Sequence, residues 1–102
     1  MGKPSERQLE RHIRQSATDS SHAAWTVHAQ VRMRQRRINK AMALEVLRCG
    51  GISRPPEPGI AREGLTCRLE RFVAGVQVAV VVDVEFPAPS LTVVTVIDVN
   101  GV

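Results

Sequence analysis

The first segment of the chain places its hydrophobic residues at the spacing of an α-helix. Three of them recur every four residues: Leu9, Ile13 and Ala17. Ser5 followed three residues later by Gln8 matches a capping box, which marks the start of a helix. We therefore predict a helix over residues 5–17. Because its apolar stripe is narrow, a mobile extension is the alternative.

A second helix is predicted over residues 26–36. Val27, Val31 and Ile38 lie within a narrow arc of the helical wheel, so we expect these three side chains to face the core. Helical spacing also places polar residues beside this arc, and these are considered below for their chemistry.

A third helix is predicted to begin after Asn39, a suitable N-cap, and to end at Cys49. Its inward face is expected to contain three apolar residues: Ala43, Leu44 and Leu47. Gly50 should act as the C′ glycine that stops this helix. The connection at residues 37–39 is short, which predicts that the second and third helices form an αα-hairpin.

Beyond Gly51 the period of the hydrophobic positions changes to two, which is typical of β-strands. Ile52 predicts a short edge strand, and the proline-rich residues 54–59 predict a stiff loop. Longer strands are predicted at residues 65–70, 76–84 and 91–99, separated by turns at Ala74-Gly75 and Pro87-Ala88-Pro89. The valine-rich second of these should be central. The last should place four residues on one face: Val93, Thr95, Ile97 and Val99.

These elements predict an α+β fold, with two to three N-terminal helices packed on one face of a three- to four-stranded antiparallel sheet. The short connections between strands favour antiparallel pairs. The 102 residues suit one domain. Within it we distinguish residues 1–20, a helical extension, from residues 21–102, the α+β domain.

Positive charge is concentrated in the helical half of the chain. Residues 1–50 contain ten Lys and Arg against four Asp and Glu, whereas residues 51–102 contain four against six. Such a field attracts phosphates, anionic membranes or acidic proteins without selecting among them. The chain has only three aromatic residues, which argues against a single-strand-binding platform built on base stacking.

Neither the cysteines nor the histidines are spaced as metal ligands, so no metal and no cofactor is predicted. Cys49 and Cys67 lack CxxC partners and are expected to be small core residues. The N-terminal residues do not resemble a secretory signal, and the apolar stretch 76–84 is too short to span a bilayer. We therefore expect a cytoplasmic protein with no membrane partner.

Candidate chemistry is concentrated on the second helix. His28, Arg32 and Arg36 are spaced by four and form one stripe beside the predicted apolar arc, while Arg34 and Arg37 project toward solvent. A histidine can transfer protons near neutral pH, and guanidinium groups bind phosphate bidentately. The alternative is that the arginines only solvate a helix face or pair with acidic residues.

Several segments resemble a bacterial family of unknown function, domain family 4258. They are residues 28–38 (HAQVRMRQRRI), the helix end Glu45–Gly50, the valine strand and Val94–Val96. The resemblance covers about residues 25–100. The family is thought to be related to RelE- and BrnT-like toxins, which pack helices against an antiparallel sheet. In that superfamily, metal-independent ribonucleases place a basic residue or a histidine, together with polar strand residues, around the RNA phosphate.

The resemblance implies a RelE-like fold and a catalytic set formed by His28, Arg32, Arg36 and Thr95. His28 would be the general acid or base, the two arginines would bind the scissile phosphate, and Thr95 would orient the substrate. Further RNA contacts are expected from the exposed and strand arginines: Arg34, Arg37, Arg68 and Arg71.

The sequence thus leads to two hypotheses on function. The first is a toxin-type RNA-binding domain, with RNA or the ribosome as partner, that acts as a metal-independent ribonuclease. The second is a non-catalytic interaction module. Its partner would be an acidic antitoxin-like protein, a nucleic-acid backbone, or a second copy joined through a sheet edge.

Overall fold

The computed structural model describes residues 4–59 and 64–101, which form three α-helices and six strands. The helices are α1 (Glu6–Ala17), α2 (Val27–Arg36) and α3 (Lys40–Cys49), and a single 3₁₀ turn spans Ser20–His22. The strands are β1 (Ala23–Trp25), β2 (Gly51–Ile52), β3 (Glu57–Pro58), β4 (Gly64–Val73), β5 (Val76–Glu85) and β6 (Ser90–Asp98). The predicted α+β class is confirmed.

Helix α1 starts at the predicted capping box. The backbone N–H of Gln8 donates to Ser5 Oγ at 3.1 Å, and the N–H of Ser5 donates to Gln8 Oε1 at 2.8 Å. Its apolar stripe is fully buried, and its members belong to the same cluster as the strand valines: Leu9, Ile13 and Ala17. Helix α1 therefore contributes to the common core.

The predicted buried face of α2 is wrong. Val27 and Val31 are 77% and 40% exposed, whereas Ala29 and Met33 are buried. Thr26 fixes the rotation of the helix, because its Oγ donates to Val94 O at 2.9 Å and accepts from the N–H of Ala29. The small side chain of Ala29 then lies against β6, which turns both valines outward. Only Ile38, beyond the helix, is buried as predicted.

Helix α3 has the predicted limits and N-cap, with Asn39 Oδ1 accepting from the N–H of Met42 at 2.9 Å. Its inward residues are buried as expected: Ala43, Leu44 and Leu47. The predicted αα-hairpin is not formed, because α3 packs against α1, β4 and β5 while α2 packs against β6. Helices α2 and α3 therefore meet at a corner.

Gly50 ends α3 for a different reason from the one predicted. Its φ of −80° is not left-handed, so it is not a C′ glycine of the usual kind. Instead the backbone is crowded: a Cβ at this position would lie 2.5 Å from Val46 O and 2.8 Å from Glu70 O. Only glycine allows α3 to end this close to β4.

Gly50→Ala should therefore lower the free energy of unfolding by about 1–3 kcal/mol, because the methyl group would meet two backbone carbonyls that cannot rotate away. Gly51→Ala is the control, since its Cβ would lie 3.2 Å from one side-chain atom, Glu10 Oε1, and would meet no backbone carbonyl. Urea unfolding measures both values. Equal losses in the two variants would contradict the explanation for Gly50.

The sheet contains more strands than predicted and is mixed. The strand order is β1-β6-β5-β4-β2, with β3 also paired to β4. The pairs β4–β5 and β5–β6 are antiparallel, and β5 is central as predicted, but β1 runs parallel to β6. Strand β3 forms within the predicted proline-rich loop. Strand β1 pairs with a segment far away in sequence, whereas β3 pairs with the nearby start of β4.

The predicted face of β6 is also wrong. A bulge interrupts the register with β5, so that Val81 pairs with Thr95 and Val82 pairs with Val93. The extra residue, Val94, reverses the alternation of side chains along the rest of the strand. Val93 and Val96 consequently face the helices and are buried, whereas Thr95 shares the opposite face with Val81. We call the face that carries Thr95 and Val81 the outer face.

Candidate functional site

The arginines of α2 form a positive surface, and the helix itself contains no acidic residue. His28, Arg32 and Arg34 are exposed, and Arg36 is half-buried. Arg32 Nη1 donates to Gln35 Oε1 at 3.2 Å, an interaction that leaves the charge of Arg32 uncompensated. Among the residues that the structure describes, no α2 arginine lies within ion-pair distance of a carboxylate. The cationic groups are therefore available to an anionic ligand.

Arg37 occupies a position that normally requires glycine. Its φ and ψ are 56° and 39°, which is the left-handed region. Its N–H donates to Arg34 O at 3.3 Å, and the N–H of Ile38 donates to Met33 O at 2.9 Å, which completes a Schellman motif. A side chain with a Cβ is strained in this conformation. The chain thus keeps a guanidinium where the backbone would favour glycine, and such strain is often found at functional positions.

Arg37→Gly should raise the free energy of unfolding by about 0.5–1 kcal/mol, because it removes the left-handed strain at the helix end. The matched control is Arg36→Gly, at the last residue of α2, which should lower the same quantity by up to about 1 kcal/mol. Thermal and urea unfolding of the two variants measure the difference. A loss of stability in Arg37→Gly would show that the side chain, and not the backbone, determines this position.

The corner between α2 and α3 contains a cleft of about 480 Å³. We call it the corner cleft. It is lined by three cationic residues, two apolar residues and two amides: Arg34, Arg37, Lys40, Met33, Ile38, Gln30 and Asn39. Lys40 Nζ also lies 5.4 Å from the ring centroid of Trp25, which is within cation–π range. A ligand that carries both an anionic and an apolar group can therefore contact cationic and apolar residues of this cleft at the same time.

Two other clefts are less suited to anions, because each contains a carboxylate. One, of about 380 Å³, brings Arg36 and Arg37 together with Asp98. The other lies on α1 and combines three arginines with Glu10, whose Oε1 accepts from the N–H of Ile52 at 2.7 Å. The corner cleft has no acidic lining residue. It is therefore the better anion site of the three.

Two of the predicted site residues lie on the outer face of the sheet, away from α2. Arg68, Val81 and Thr95 pair across three neighbouring strands and share the outer face, opposite the helices. Arg68 Nε donates to Glu70 Oε2 at 3.2 Å, and the Arg68 side chain is only 16% exposed. Thr95 and Arg68 therefore do not share a surface with His28, Arg32 and Arg36.

Arg71 lies on the helix-facing side of β4 and is already bound within the protein. Its Nε donates to Glu45 Oε2 at 3.3 Å, and its Nη1 donates to Cys49 O at 3.4 Å. Both contacts link β4 to α3. Arg71 thus has a packing role, and its role in RNA binding stays a prediction.

Of the predicted catalytic residues, His28, Arg32 and Arg36 lie on α2, whereas Thr95 lies on β6. No hydrogen bond involves the His28 side chain within the described residues, and none of these residues form a cluster suited to a metal ion.

Burial raises the pKa of the Cys67 thiol to about 11, with the nearby Asp83 carboxylate acting in the same direction. Cys67 therefore stays protonated and is a poor nucleophile.

Lys40, Gln30 and Asn39 are lining residues that the sequence interpretation missed. Lys40 was overlooked because it belongs to the next helix, although the three-residue connection that precedes it was recognised. One sequence signal could have identified Lys40: a tight connection places the first turn of one helix beside the last turn of the other.

Within residues 4–59 and 64–101, every helix is too short or too polar to span a membrane.

The chain matches no protein-family model, no curated protein and no solved structure. The resemblance to domain family 4258 accordingly stays a prediction. The geometry of the α2–α3 corner supplies the argument for function.

Proposed function

We propose that this domain binds RNA through its phosphate backbone, with the corner cleft and the exposed arginines of α2 as the interface. The observation that carries the proposal is Arg37, a strained left-handed arginine placed between Arg34 and Lys40 in a cleft without acidic residues. Guanidinium groups bind phosphate bidentately, and several in one place supply most of the affinity for a nucleic-acid backbone. The predicted cytoplasmic location is part of the same proposal.

A titration of single-stranded RNA tests the proposal. Trp25 is the chain's single tryptophan and contacts Lys40, so its fluorescence should change as phosphate approaches the cleft. With about three phosphates neutralised, the logarithm of the binding constant should fall with the logarithm of salt concentration at a slope of about −2. Absence of saturable binding in low salt, or a slope near zero, would contradict the proposal.

We propose binding without cleavage. The ribonuclease hypothesis needs a second proton-transfer or substrate-orienting group beside His28, and Thr95 lies on the outer face of the sheet. RNA incubated with the protein in excess chelator should therefore stay intact. Discrete cleavage that disappears in His28→Gln would overturn this statement and establish the predicted metal-independent ribonuclease.

A second candidate is docking of an acidic protein segment, for which the exposed valines of α2 are the specific observation. Val27 and Val31 are one helical turn apart on the surface, next to the arginines. An antitoxin-like segment with apolar and acidic residues would match both groups. Val27→Ser combined with Val31→Ser distinguishes the candidates, since it should weaken a protein complex by at least about tenfold and leave RNA affinity unchanged.

A further inference from the structure

The corner cleft combines an apolar floor with a cationic rim. Met33 and Ile38 are almost entirely buried and line the cleft together with Arg34, Arg37 and Lys40. Its volume of about 480 Å³ lies within the roughly 300–1,000 Å³ that is typical of small-molecule sites. The aliphatic stems of the cationic residues add further apolar surface to its walls.

Each of the two amide residues of the cleft uses one of its two polar groups in a hydrogen bond within the protein and leaves the other group free. Gln30 Nε2 donates to Trp25 O at 3.3 Å, which leaves the Gln30 side-chain carbonyl as an acceptor. Asn39 Oδ1 accepts from the N–H of Met42, which leaves the Asn39 amino group as a donor. One acceptor and one donor in a partly apolar cleft suit the polar edge of a nucleobase.

From these features we infer that the corner cleft takes one unstacked nucleotide of single-stranded RNA. The base lies against Met33 and Ile38, and its phosphate lies against Arg34, Arg37 and Lys40. This inference rests on the proposed function and narrows it: a duplex keeps its bases stacked and paired, so its backbone alone can reach the cleft. The protein therefore prefers single strands, although it has too few aromatic residues for a stacking platform.

Methyl NMR with three probes tests the inference. Adenosine monophosphate should shift the Met33 and Ile38 methyl signals by the ring current of the base. Ribose 5-phosphate, which lacks the base, should shift the Arg37 amide and leave both methyl signals in place. A single-stranded oligonucleotide should shift all three signals and bind at least about fivefold more tightly than an abasic strand of equal length.

The outcomes separate this inference from the proposed function. Salt-dependent RNA binding with unmoved methyl signals, or equal affinity for the abasic strand, would overturn the nucleotide site and leave backbone binding in place. If neither RNA nor ribose 5-phosphate shifts the Arg37 amide, the proposed function itself fails. Arg11→Ala on α1 is the control variant, because it removes one exposed arginine outside the cleft and should retain all three shifts.

Discussion

The double variant Arg34→Glu, Arg37→Glu should bind single-stranded RNA at least about 100-fold more weakly than the unchanged protein. Each hydrogen bond between charged partners contributes roughly 1.5–3 kcal/mol, and the two new carboxylates would also repel the phosphates. Arg34 is exposed and Arg37 already has strained backbone angles that glutamate tolerates no worse, so the fold should persist. Fluorescence anisotropy at constant salt measures the change in dissociation constant.

The matched control for this experiment is Arg7→Glu, Arg11→Glu on α1. It changes the net charge of the protein by the same amount and leaves the corner cleft intact. Long-range attraction is screened over about 10 Å at 0.1 M salt, so we expect a loss of less than about tenfold. Equal losses in the two double variants would show that RNA responds to overall charge and would contradict a localised site.

Ile13→Ala should lower the free energy of unfolding by about 2–5 kcal/mol, the range for truncating a buried isoleucine. Ile13 is fully buried, and it shares a core cluster with Leu47 and the valines of β5. Urea denaturation with circular dichroism measures the effect. Arg11→Ala, on the exposed side of the same helix, is the control and should change the same quantity by less than about 0.5 kcal/mol.

The effect of Ile13→Ala also tests the prediction that residues 1–20 form an extension distinct from the α+β domain of residues 21–102. A large loss in a single cooperative transition would show that α1 unfolds together with the sheet. A loss below about 0.5 kcal/mol would show instead that α1 behaves as the separate extension expected from its narrow apolar stripe.

Elements with local signals were predicted correctly. The Ser5–Gln8 capping box and the Asn39 N-cap each depend on residues three apart, and both helices begin where these signals lie. The turn at Ala74 and Gly75 follows in the same way, since both residues have positive φ in a tight connection between β4 and β5. Such signals act within a few residues and need no knowledge of the rest of the fold.

Errors arose where a distant segment determines the outcome. The rotation of α2 depends on hydrogen bonds from Thr26 to β6, and periodicity alone favoured the larger valines over Ala29. The bulge at Val94 reverses the second half of β6, and nothing in a run of valines and threonines marks its position. The pairing of β1 with β6 joins segments almost 70 residues apart.

The candidate site shows the same difference between what local signals predict and what the rest of the fold determines. Spacing predicted a stripe of His28, Arg32 and Arg36, and none of these residues lines the corner cleft. The cleft is lined instead by Arg34 and Arg37, which were expected only to project toward solvent. Lys40 lines the same cleft from the first turn of α3, beyond a connection in which Arg37 is left-handed, a conformation that a sequence does not display for an arginine. Thr95 was assigned by resemblance, and the bulge places it on the outer face of the sheet.

The most direct test of RNA binding at the α2–α3 corner is a backbone amide NMR titration with single-stranded RNA. Saturable shifts should concentrate in residues 30–40, with the amides of residues 66–72 on β4 unchanged. Shifts concentrated on β4 and β6, or no saturable shift at low salt, would contradict the assignment of the interface to the corner cleft.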